Sequence, residues 1–374
     1  MVGIQKSMPK NILIAGGGTG GHLFPALAIG EEIQLKYPKT NIHYIGSTFG
    51  LEAKVFPIKD VWHTLIPIRG YQRDFSLKSV GKNLLLPFRI IDSIFKLKTI
   101  FNEFSPNIVI GTGGYASALP IYLASRKTQN IRIILQEQNS YPGVTNRWFS
   151  QRAEKVCIAF QDTDKVLNKN TYLTGNPVRK NITNGIVEEG LSEFNLSKKH
   201  KVIFVFGGSQ GSAYLNKMIN SITSRIESSG IQILWQTGDR EFIKYRNKVS
   251  KKVQIVPFVH NMANAYAISD LIISRSGALT LSEITICGKA AILIPFSNAA
   301  GDHQTKNANV LVNSGAARLL NEKTINADDL FYSIMNLIHN KKQLEKMGIA
   351  SKKLGRPNAT EKIVDYIMES ANKL

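Results

Sequence analysis

Cysteine, long apolar runs and acidic residues are all scarce in this sequence. Only two cysteines occur in 374 residues, Cys157 and Cys287, both in apolar surroundings and far apart. We therefore expect buried free thiols of a cytosolic protein rather than a disulfide or a metal cluster. No apolar run reaches the roughly 18–20 residues that a membrane-spanning helix needs, and residues 1–10 lack the apolar core of a secretory signal.

The shortage of acidic residues leaves a large positive charge. Forty-seven Lys and Arg stand against 27 Asp and Glu, so the formal net charge is +20. Such a balance predicts an anionic partner, which could be nucleic acid, a membrane face or a phosphorylated substrate, unless it is simply a solvated basic surface. The chain has no low-complexity basic tail and no zinc-finger spacing, so nucleic acid is the least favoured partner.

Short apolar runs alternate with helix-length segments along most of the chain. The runs are predicted as strands at 11–15, 41–46, 107–111, 132–136, 155–160, 201–207, 231–236, 253–258, 270–275 and 290–296. Continuous apolar strands of this kind are typical of parallel sheets covered on both faces. Residues 176–200 are polar and interrupted by Pro and Gly, which predicts a linker between two doubly wound α/β domains.

The first predicted strand ends in a glycine-rich turn, AGGGTGGH, at residues 15–22. Gly16, Gly18 and Gly21 satisfy the dinucleotide pattern G-x-G-x-x-G, but a nicotinamide site also needs a carboxylate at the end of the second strand. That strand ends in Ile45-Gly46-Ser47-Thr48, and the next carboxylate, Glu52, is placed in the following helix. The loop therefore predicts an anion-binding turn rather than a nicotinamide site.

Two further loops, 111–117 (GTGGYAS) and 136–146 (QEQNSYPGVTN), follow strands of the same predicted sheet. Loops at the carboxyl ends of parallel strands line one edge of the sheet. In the second half, residues 207–212 (GGSQGS) form another candidate anion nest at a helix start. The alternative is that these glycines only permit tight packing of helix against sheet.

Residues 273–288 (ISRSGALTLSEITICG) run from a strand into a helix. Ser276 or Thr280 is expected to cap that helix, and Glu283 is suited either to a capping role or to accepting two ribose hydroxyls. The later loop 295–308 offers Asp302, His303 and Gln304. The D-x-D triplet at 162–164 matches a metal-diphosphate motif, but helix capping accounts for it more simply, so no metal site is expected.

Seven motifs together resemble the MurG family, the bacterial UDP-N-acetylglucosamine:undecaprenyl-pyrophosphoryl-N-acetylmuramoyl-pentapeptide N-acetylglucosaminyltransferases. The motifs occur in the family's order, from about Asn11 to the last helix: GGGTGGH, GTGGYAS, QEQNSYPGVTN, LTGNPVR, GGSQGS, RSGALTLSE and DHQTKNA. One departure is Gln136, because His commonly precedes the Glu-Gln-Asn triplet in that family.

The resemblance implies a GT-B architecture of two Rossmann-like domains facing each other across a cleft. The first would comprise residues 9–178, with the helix at 358–374 packing back on it, and the second residues 179–357. The implied reaction, which belongs to peptidoglycan synthesis, is the inverting transfer of GlcNAc from UDP-GlcNAc to the muramoyl sugar of the undecaprenyl-pyrophosphoryl-linked MurNAc-pentapeptide. It turns lipid I into lipid II and needs no cofactor and no metal.

The resemblance also assigns the donor site. Glu283 should accept the ribose hydroxyls, the backbone near Val259 should bind uracil, and Arg179 and Ser209 should meet the nucleotide or its diphosphate. The other implied contacts are Ala278, Leu279, Thr280, Leu281, Ser282 and Gln304 from the second domain, and Thr19, Gly20, Gly21 and Asn139 from the first.

The reaction needs a base for the acceptor hydroxyl. His22, at the end of the first glycine loop, has a suitable side chain. Its alternative role is to hold the shape of the loop by hydrogen bonds to the backbone. Glu137 is the second candidate for the base, and a structural role is equally open for it.

Residues 76–104 carry two apolar stripes at helical spacing. One consists of Leu84, Phe88, Ile91 and Phe95, and the other of Ile90, Ile94, Leu97, Phe101 and Phe104. Seven basic and three acidic residues lie from Arg69 to Glu103. The segment is either a packed crossover helix or, before and around Pro87, a surface that docks on an anionic membrane. The resemblance implies a peripheral protein on the cytoplasmic face of the cell membrane.

Two other functions remain open at this point. One is a related GT-B glycolipid glycosyltransferase with a different lipid acceptor, against which the QEQN and GTGGYAS motifs argue. The other is a non-enzymatic protein that binds anions or nucleic acid, which only the net charge suggests.

Overall fold

The computed structural model describes residues 11–70, 83–126, 131–167 and 170–371. The expected domain start at residue 9, the part of segment 76–104 before residue 83, and the last residues of the expected 358–374 helix lie outside these ranges. The chain forms two compact units. Unit 1 comprises Met1–Pro177 and Asn358–Leu374, and unit 2 comprises Val178–Pro357.

Unit 1 is built on a parallel sheet of seven described strands in the order β3-β2-β1-β4-β5-β6-β7. The strands are β1 (Asn11–Gly16), β2 (Asn41–Ser47), β3 (His63–Ile66), β4 (Ile108–Gly113), β5 (Arg132–Glu137), β6 (Lys155–Ile158) and β7 (Thr171–Leu173). Its helices are α1 (Gly20–Lys36), α2 (Glu52–Ile58), α3 (Leu86–Glu103), α4 (Tyr115–Arg126), α5 (Val144–Phe149) and α6 (Asp164–Leu167).

Both faces of this sheet are buried. Ile12 and Ile14 of β1 belong to one apolar cluster, and Leu13 and Ala15, which alternate with them, belong to the cluster on the opposite face. Successive side chains of a strand point to opposite faces, so a strand covered on both sides must be apolar throughout. This is why the central strands are uninterrupted apolar runs in the sequence.

The chain's last described helix belongs to unit 1, although unit 2 precedes it in sequence. Helix α15 (Ala359–Ala371) contributes Ile363, Val364 and Ile367 to the cluster that contains Ile12 of β1. Lys155 at the start of β6 donates a hydrogen bond to the Tyr366 carbonyl, 3.3 Å away. The helix is therefore fixed to this unit by apolar packing and by a polar contact.

Unit 2 contains a second parallel sheet, of six described strands in the order β10-β9-β8-β11-β12-β13. The strands are β8 (Val202–Phe206), β9 (Gln232–Gln236), β10 (Val253–Val256), β11 (Leu271–Ser274), β12 (Ala291–Leu293) and β13 (Ala317–Leu319). The helices are α7 (Val187–Glu193), α8 (Ala213–Ser228), α9 (Asp239–Tyr245), α10 (Met262–Ile268), α11 (Ala278–Cys287), α12 (His303–Asn313), α13 (Ala327–Ile338) and α14 (Lys341–Leu354).

The predicted linker at 176–200 is largely wrong. Helix α7 lies inside it and packs against α10 of unit 2. The backbone amide of Ile186 donates to Asn264 Oδ1 at 3.0 Å, and a Cβ on Gly185 would stand 2.0 Å from the Ala263 carbonyl oxygen. The segment is polar because its outer face is solvated, yet its backbone is tied to unit 2.

Both cysteines are free thiols, but only Cys157 is fully buried and Cys287 is half-buried. Burial raises the pKa of each thiol to about 12. None of the helices in the described ranges has the length and apolarity that crossing a membrane requires.

Candidate active site

Three loops of unit 1 leave the carboxyl ends of β1, β4 and β5 and touch one another. Thr112 Oγ1 donates to the His22 carbonyl at 2.8 Å, which joins the first two loops. Thr145 Oγ1 donates to the Gly114 carbonyl at 3.3 Å, which joins the second to the third. The motifs GGGTGGH, GTGGYAS and QEQNSYPGVTN thus form one continuous surface at this edge of the sheet.

Glu52 closes the first loop. Its buried carboxylate accepts hydrogen bonds from the Gly18 amide at 2.8 and 2.9 Å and from the Ser47 amide at 2.8 Å. Gly18 has a φ of +87°, a conformation that favours glycine. The Gly18 amide is therefore committed to an internal carboxylate, and an incoming anion has to use amides that follow it at the start of α1. Sequence reasoning placed Glu52 in a helix and missed this role.

The residues predicted to reach the donor from this loop lie at the start of α1. Thr19 is the N-cap, is exposed and makes no side-chain capping bond, while its carbonyl accepts from the His22 and Leu23 amides. Gly20 begins the helix, and Gly21 is exposed.

The His22 ring lies against the second loop. Its Nδ1 stands 3.0 Å from the Thr112 carbonyl oxygen and 2.9 Å from Gln138 Oε1. A Cβ on Gly113, whose φ is +94°, would come within 2.8 Å of Nδ1. The glycine is therefore needed to make room for the imidazole. Gln138, which is 1% exposed, was not singled out from the sequence.

Glu137 is enclosed by the third loop. Its Oε1 accepts from the Asn139 amide at 2.9 Å, and its Oε2 accepts from the Gly143 amide at 2.9 Å and from Asn146 Nδ2 at 2.8 Å. The side chain is almost fully buried. This geometry favours the structural role over that of a base, because the carboxylate is already saturated with donors. Asn139 is fixed by the same contacts.

The residues of the D-x-D triplet make polar contacts with the third loop and within the segment around α6. Thr163 Oγ1 donates to the Asn139 carbonyl at 2.9 Å, Asp162 pairs with Lys165 at 2.7 Å, and Asp164 accepts from the Thr171 hydroxyl. Within the ranges that the structure describes, no cluster of three His, Cys, Asp or Glu residues could hold a metal ion.

In unit 2, Glu283 and Arg179 lie together as a candidate nucleotide site. Glu283 Oε1 is 3.7 Å from Arg179 Nη1, and its Oε2 accepts from the Tyr266 hydroxyl at 3.1 Å. Burial raises the pKa of the Glu283 carboxyl, while Arg179 and the Tyr266 hydrogen bond act in the opposite direction. Arg179 is half exposed, so the pair is open to a ligand on the arginine side.

The predicted cap of the helix that carries Glu283 is wrong. Gly277 is the N-cap of α11, and no side chain caps it, whereas Thr280 lies inside the first turn. Ser276 Oγ is buried and lacks a hydrogen-bond partner in the described part of the chain. Glu283 lies a turn and a half into the helix, where its carboxylate is too far from the first amides to cap them.

A second glutamine that was not predicted from the sequence, Gln236, joins the loop 207–212 to the backbone at Val259. Gln236 Nε2 donates to the Gly208 carbonyl at 3.0 Å, and its Oε1 accepts from the Val259 amide at 2.8 Å. The Val259 amide is therefore already used, and the predicted uracil contact near Val259 would need another backbone group. Ser209 lies exposed at the tip of the loop, and Ser212 caps α8 by accepting from the Leu215 amide at 3.3 Å.

The remaining predicted residues differ in exposure. Leu281 is fully buried in unit 2 and Ala278 nearly so, so Leu281 offers no side chain to a ligand. Gln304 Oε1 accepts from the Phe296 amide at 2.9 Å and fixes the loop before α12. The half-buried members of the set are Leu279, Thr280, Ser282 and Gln304.

Comparisons with known proteins agree with this architecture. Residues 12–158 match the Glycosyltransferase family 28 N-terminal domain, and residues 202–363 match the C-terminal domain of the same family. A crystal structure of MurG from Acinetobacter baumannii superposes with a TM-score of 0.76 at 27% identity, covering 97% of this chain and all of that one. The UDP-GlcNAc 2-epimerase of Neisseria meningitidis shares the fold, with a TM-score of 0.64 at 14% identity and coverage of 96% and 99%.

Relatives in two organisms carry the same name, UDP-N-acetylglucosamine--N-acetylmuramyl-(pentapeptide) pyrophosphoryl-undecaprenol N-acetylglucosamine transferase. The protein of Christiangramia forsetii is 37% identical over 96% of this chain and 98% of its own. That of Bacillus cytotoxicus is 35% identical over 97% of this chain and 100% of its own. The resemblance seen in the seven motifs is confirmed. This chain, with its two Rossmann-like units, belongs to the MurG family of GT-B glycosyltransferases.

Proposed function

We propose that this protein transfers GlcNAc from UDP-GlcNAc, with inversion, to the muramoyl sugar of undecaprenyl-pyrophosphoryl-MurNAc-pentapeptide. The named relatives support the substrates. One feature of the structure supports the chemistry, namely the His22 imidazole, which is held through Nδ1 at the edge of unit 1 where three loops meet. Its Nε2 has no hydrogen-bond partner among the described residues.

The reaction has two physical requirements. A base must take the proton of the acceptor hydroxyl as its oxygen attacks the anomeric carbon, and negative charge must be stabilised as UDP departs from the opposite face. His22 Nε2 is the proposed proton acceptor. The N-terminus of α11 and the guanidinium of Arg179 supply positive potential for the departing UDP without a metal.

The donor is assigned to unit 2. The carboxylate of Glu283 accepts the two ribose hydroxyls, and its buried position makes these hydrogen bonds stronger than they would be in water. Arg179 lies beside it and is placed to meet the nucleotide or its diphosphate. Ser209, which is exposed on the loop 207–212, and Gln304 complete the proposed donor pocket.

Transfer of radiolabelled GlcNAc tests this function directly. We expect label to pass from UDP-GlcNAc to a lipid-linked muramoyl-pentapeptide and not to the same lipid carrying a different sugar. Transfer to other glycolipids with equal efficiency would favour the related GT-B glycolipid glycosyltransferase. Absence of transfer to either acceptor would contradict both.

The two apolar stripes of α3 have different surroundings. Leu97 and Phe101 are packed into the core of unit 1, as a crossover helix requires. The other stripe is exposed on the same helix and just before it, with exposed fractions of 70% for Leu84, 71% for Phe88, 53% for Ile91 and 65% for Phe95. We infer that this exposed stripe docks on the anionic cytoplasmic face of the membrane, where the lipid acceptor resides.

Replacing Phe88 and Ile91 together by serine should weaken binding to vesicles that contain an anionic phospholipid by at least about tenfold. The loss follows from about 1.5–3 kcal/mol for each large apolar side chain fully transferred from water. Vesicle sedimentation measures it. Ile349→Ser is the matched control, because Ile349 is equally exposed, at 62%, but lies on unit 2. Equal binding by both variants would contradict the membrane assignment.

A further inference from the structure

We propose that Gln138 is a positioning residue, which fixes the tautomer of His22 with hydrogen on Nδ1 and the lone pair on Nε2. The inference deepens the proposed function, since it rests on His22 as the base. It is carried by a chain of three buried amide side chains, Asn176, Gln136 and Gln138, each no more than 1% exposed.

A backbone carbonyl fixes which way the three amide groups are oriented, beginning at Asn176, the end distant from His22. Asn176 Nδ2 donates to the Gln138 carbonyl oxygen at 3.0 Å, and a carbonyl can only accept. Asn176 therefore presents Oδ1 to Gln136, whose Nε2 donates to it at 3.0 Å. Gln136 in turn presents Oε1 to the Nε2 of Gln138. Reversing any one amide would bring two donors or two acceptors together inside the protein.

A second backbone carbonyl fixes the orientation of the amide of Gln138, the residue beside His22. Gln138 Nε2 also donates to the Thr112 carbonyl at 2.8 Å, so its nitrogen faces Thr112 and its Oε1 faces the imidazole. His22 Nδ1 then has two neighbours, Gln138 Oε1 at 2.9 Å and the Thr112 oxygen at 3.0 Å, and both can only accept. Nδ1 must therefore carry a hydrogen, and in the neutral ring Nε2 is the basic nitrogen.

Among the residues that the structure describes, no charged group hydrogen-bonds the ring. The titratable residues on the surrounding loops are Glu52, Glu137, Tyr115 and Tyr141. The carboxylate of Glu52 is held by the Gly18 and Ser47 amides, and that of Glu137 is held inside its own loop. Tyr115 is exposed at the start of α4, and the Tyr141 hydroxyl accepts from Arg147 Nη1 at 3.2 Å. Gln138 thus orients the imidazole as the carboxylate of many catalytic histidines does, but without adding a negative charge beside it.

The wild-type protein provides the first test, which does not depend on any variant. Nitrogen NMR of the full chain labelled with ¹⁵N-histidine, above the pH at which the imidazole is neutral, should show His22 as the Nδ1–H tautomer. The Nε2–H tautomer, or an equal mixture of the two, would overturn the inference. His22→Gln identifies the resonance.

Gln138→Glu is the second test. A carboxylate beside Nδ1 should stabilise the protonated ring. The pH midpoint of the His22 resonance and the acid limb of the pH profile of kcat should therefore both move upward by about one pH unit. The KM for UDP-GlcNAc should stay within about twofold. Gln151→Glu, on an exposed residue of unit 1, should move neither midpoint.

The outcomes separate this inference from the function on which it rests. If the His22 resonance moves and the acid limb of kcat does not, Gln138 orients the ring but His22 is not the base. If the resonance does not move in a folded Gln138→Glu protein, the positioning role is wrong. If the Gln138→Glu variant fails to fold, the tautomer that nitrogen NMR shows for His22 in the wild-type protein decides whether the positioning role is correct.

Discussion

Replacing His22 by alanine should lower kcat by about 10²–10⁴-fold while the Kd for UDP changes by less than about twofold. General-base catalysis contributes about this factor, and the proposed contacts to the ribose and the uracil come from Glu283 and the backbone near Val259 in unit 2, not from His22. Steady-state kinetics with the lipid-linked acceptor gives kcat, and titration calorimetry gives the affinity for UDP.

His200→Ala is the matched control for this substitution. It also removes an imidazole, but from an exposed position before β8, and it should leave turnover unchanged. A loss of UDP affinity as large as the loss of kcat would instead assign His22 to holding the shape of the loop. The hydrogen bonds to Thr112 and Gln138 are equally compatible with that role, so the separation of kcat from Kd is the decisive quantity.

Replacing Glu283 by alanine should raise the Kd for UDP by about 10- to 150-fold. A hydrogen bond to a charged group contributes about 1.5–3 kcal/mol, and the proposal gives this carboxylate both ribose hydroxyls. Titration calorimetry with UDP and with UMP measures the effect, which should be equal for the two ligands because the ribose is common to them.

Glu283 also accepts from Tyr266 and pairs with Arg179, so the variant must be shown to be folded by its thermal unfolding. Glu283→Gln retains an acceptor for the Tyr266 hydroxyl and should lose less affinity than the alanine variant. Glu189→Ala, on the exposed face of α7, should bind UDP like the wild type. An unchanged affinity in Glu283→Ala would refute the ribose assignment.

The strands predicted from sequence and those that were missed differ in their place in the sheets. All ten predicted strands exist, although their ends shift by one to three residues. The three missed strands, β3, β7 and β13, are edge strands of three or four residues. An edge strand has one neighbour and is only partly covered, so residues such as Thr171 and Tyr172 are tolerated there and no continuous apolar run marks it.

At the candidate site, too, some features of the glycine loops could be predicted from the sequence and others could not. Their positions could be predicted because a turn between a parallel strand and a helix needs small residues, and Gly18 and Gly113 do adopt positive φ. The residues that hold the loops in place could not be predicted. Glu52 reaches Gly18 across 34 residues of sequence, and Gln138 reaches His22 across 116.

The sequence by itself determined the fold class, the positions of the glycine-rich turns and the family, because apolar periodicity and glycine placement are local properties of the chain. Only the tertiary structure decided what the polar side chains near those turns do. It enclosed Glu137 in its own loop, joined Glu283 to Arg179, and set His22 against two acceptors at Nδ1. The reason is physical: a buried polar group is defined by its hydrogen-bond partners, and strands far apart in sequence bring those partners to it.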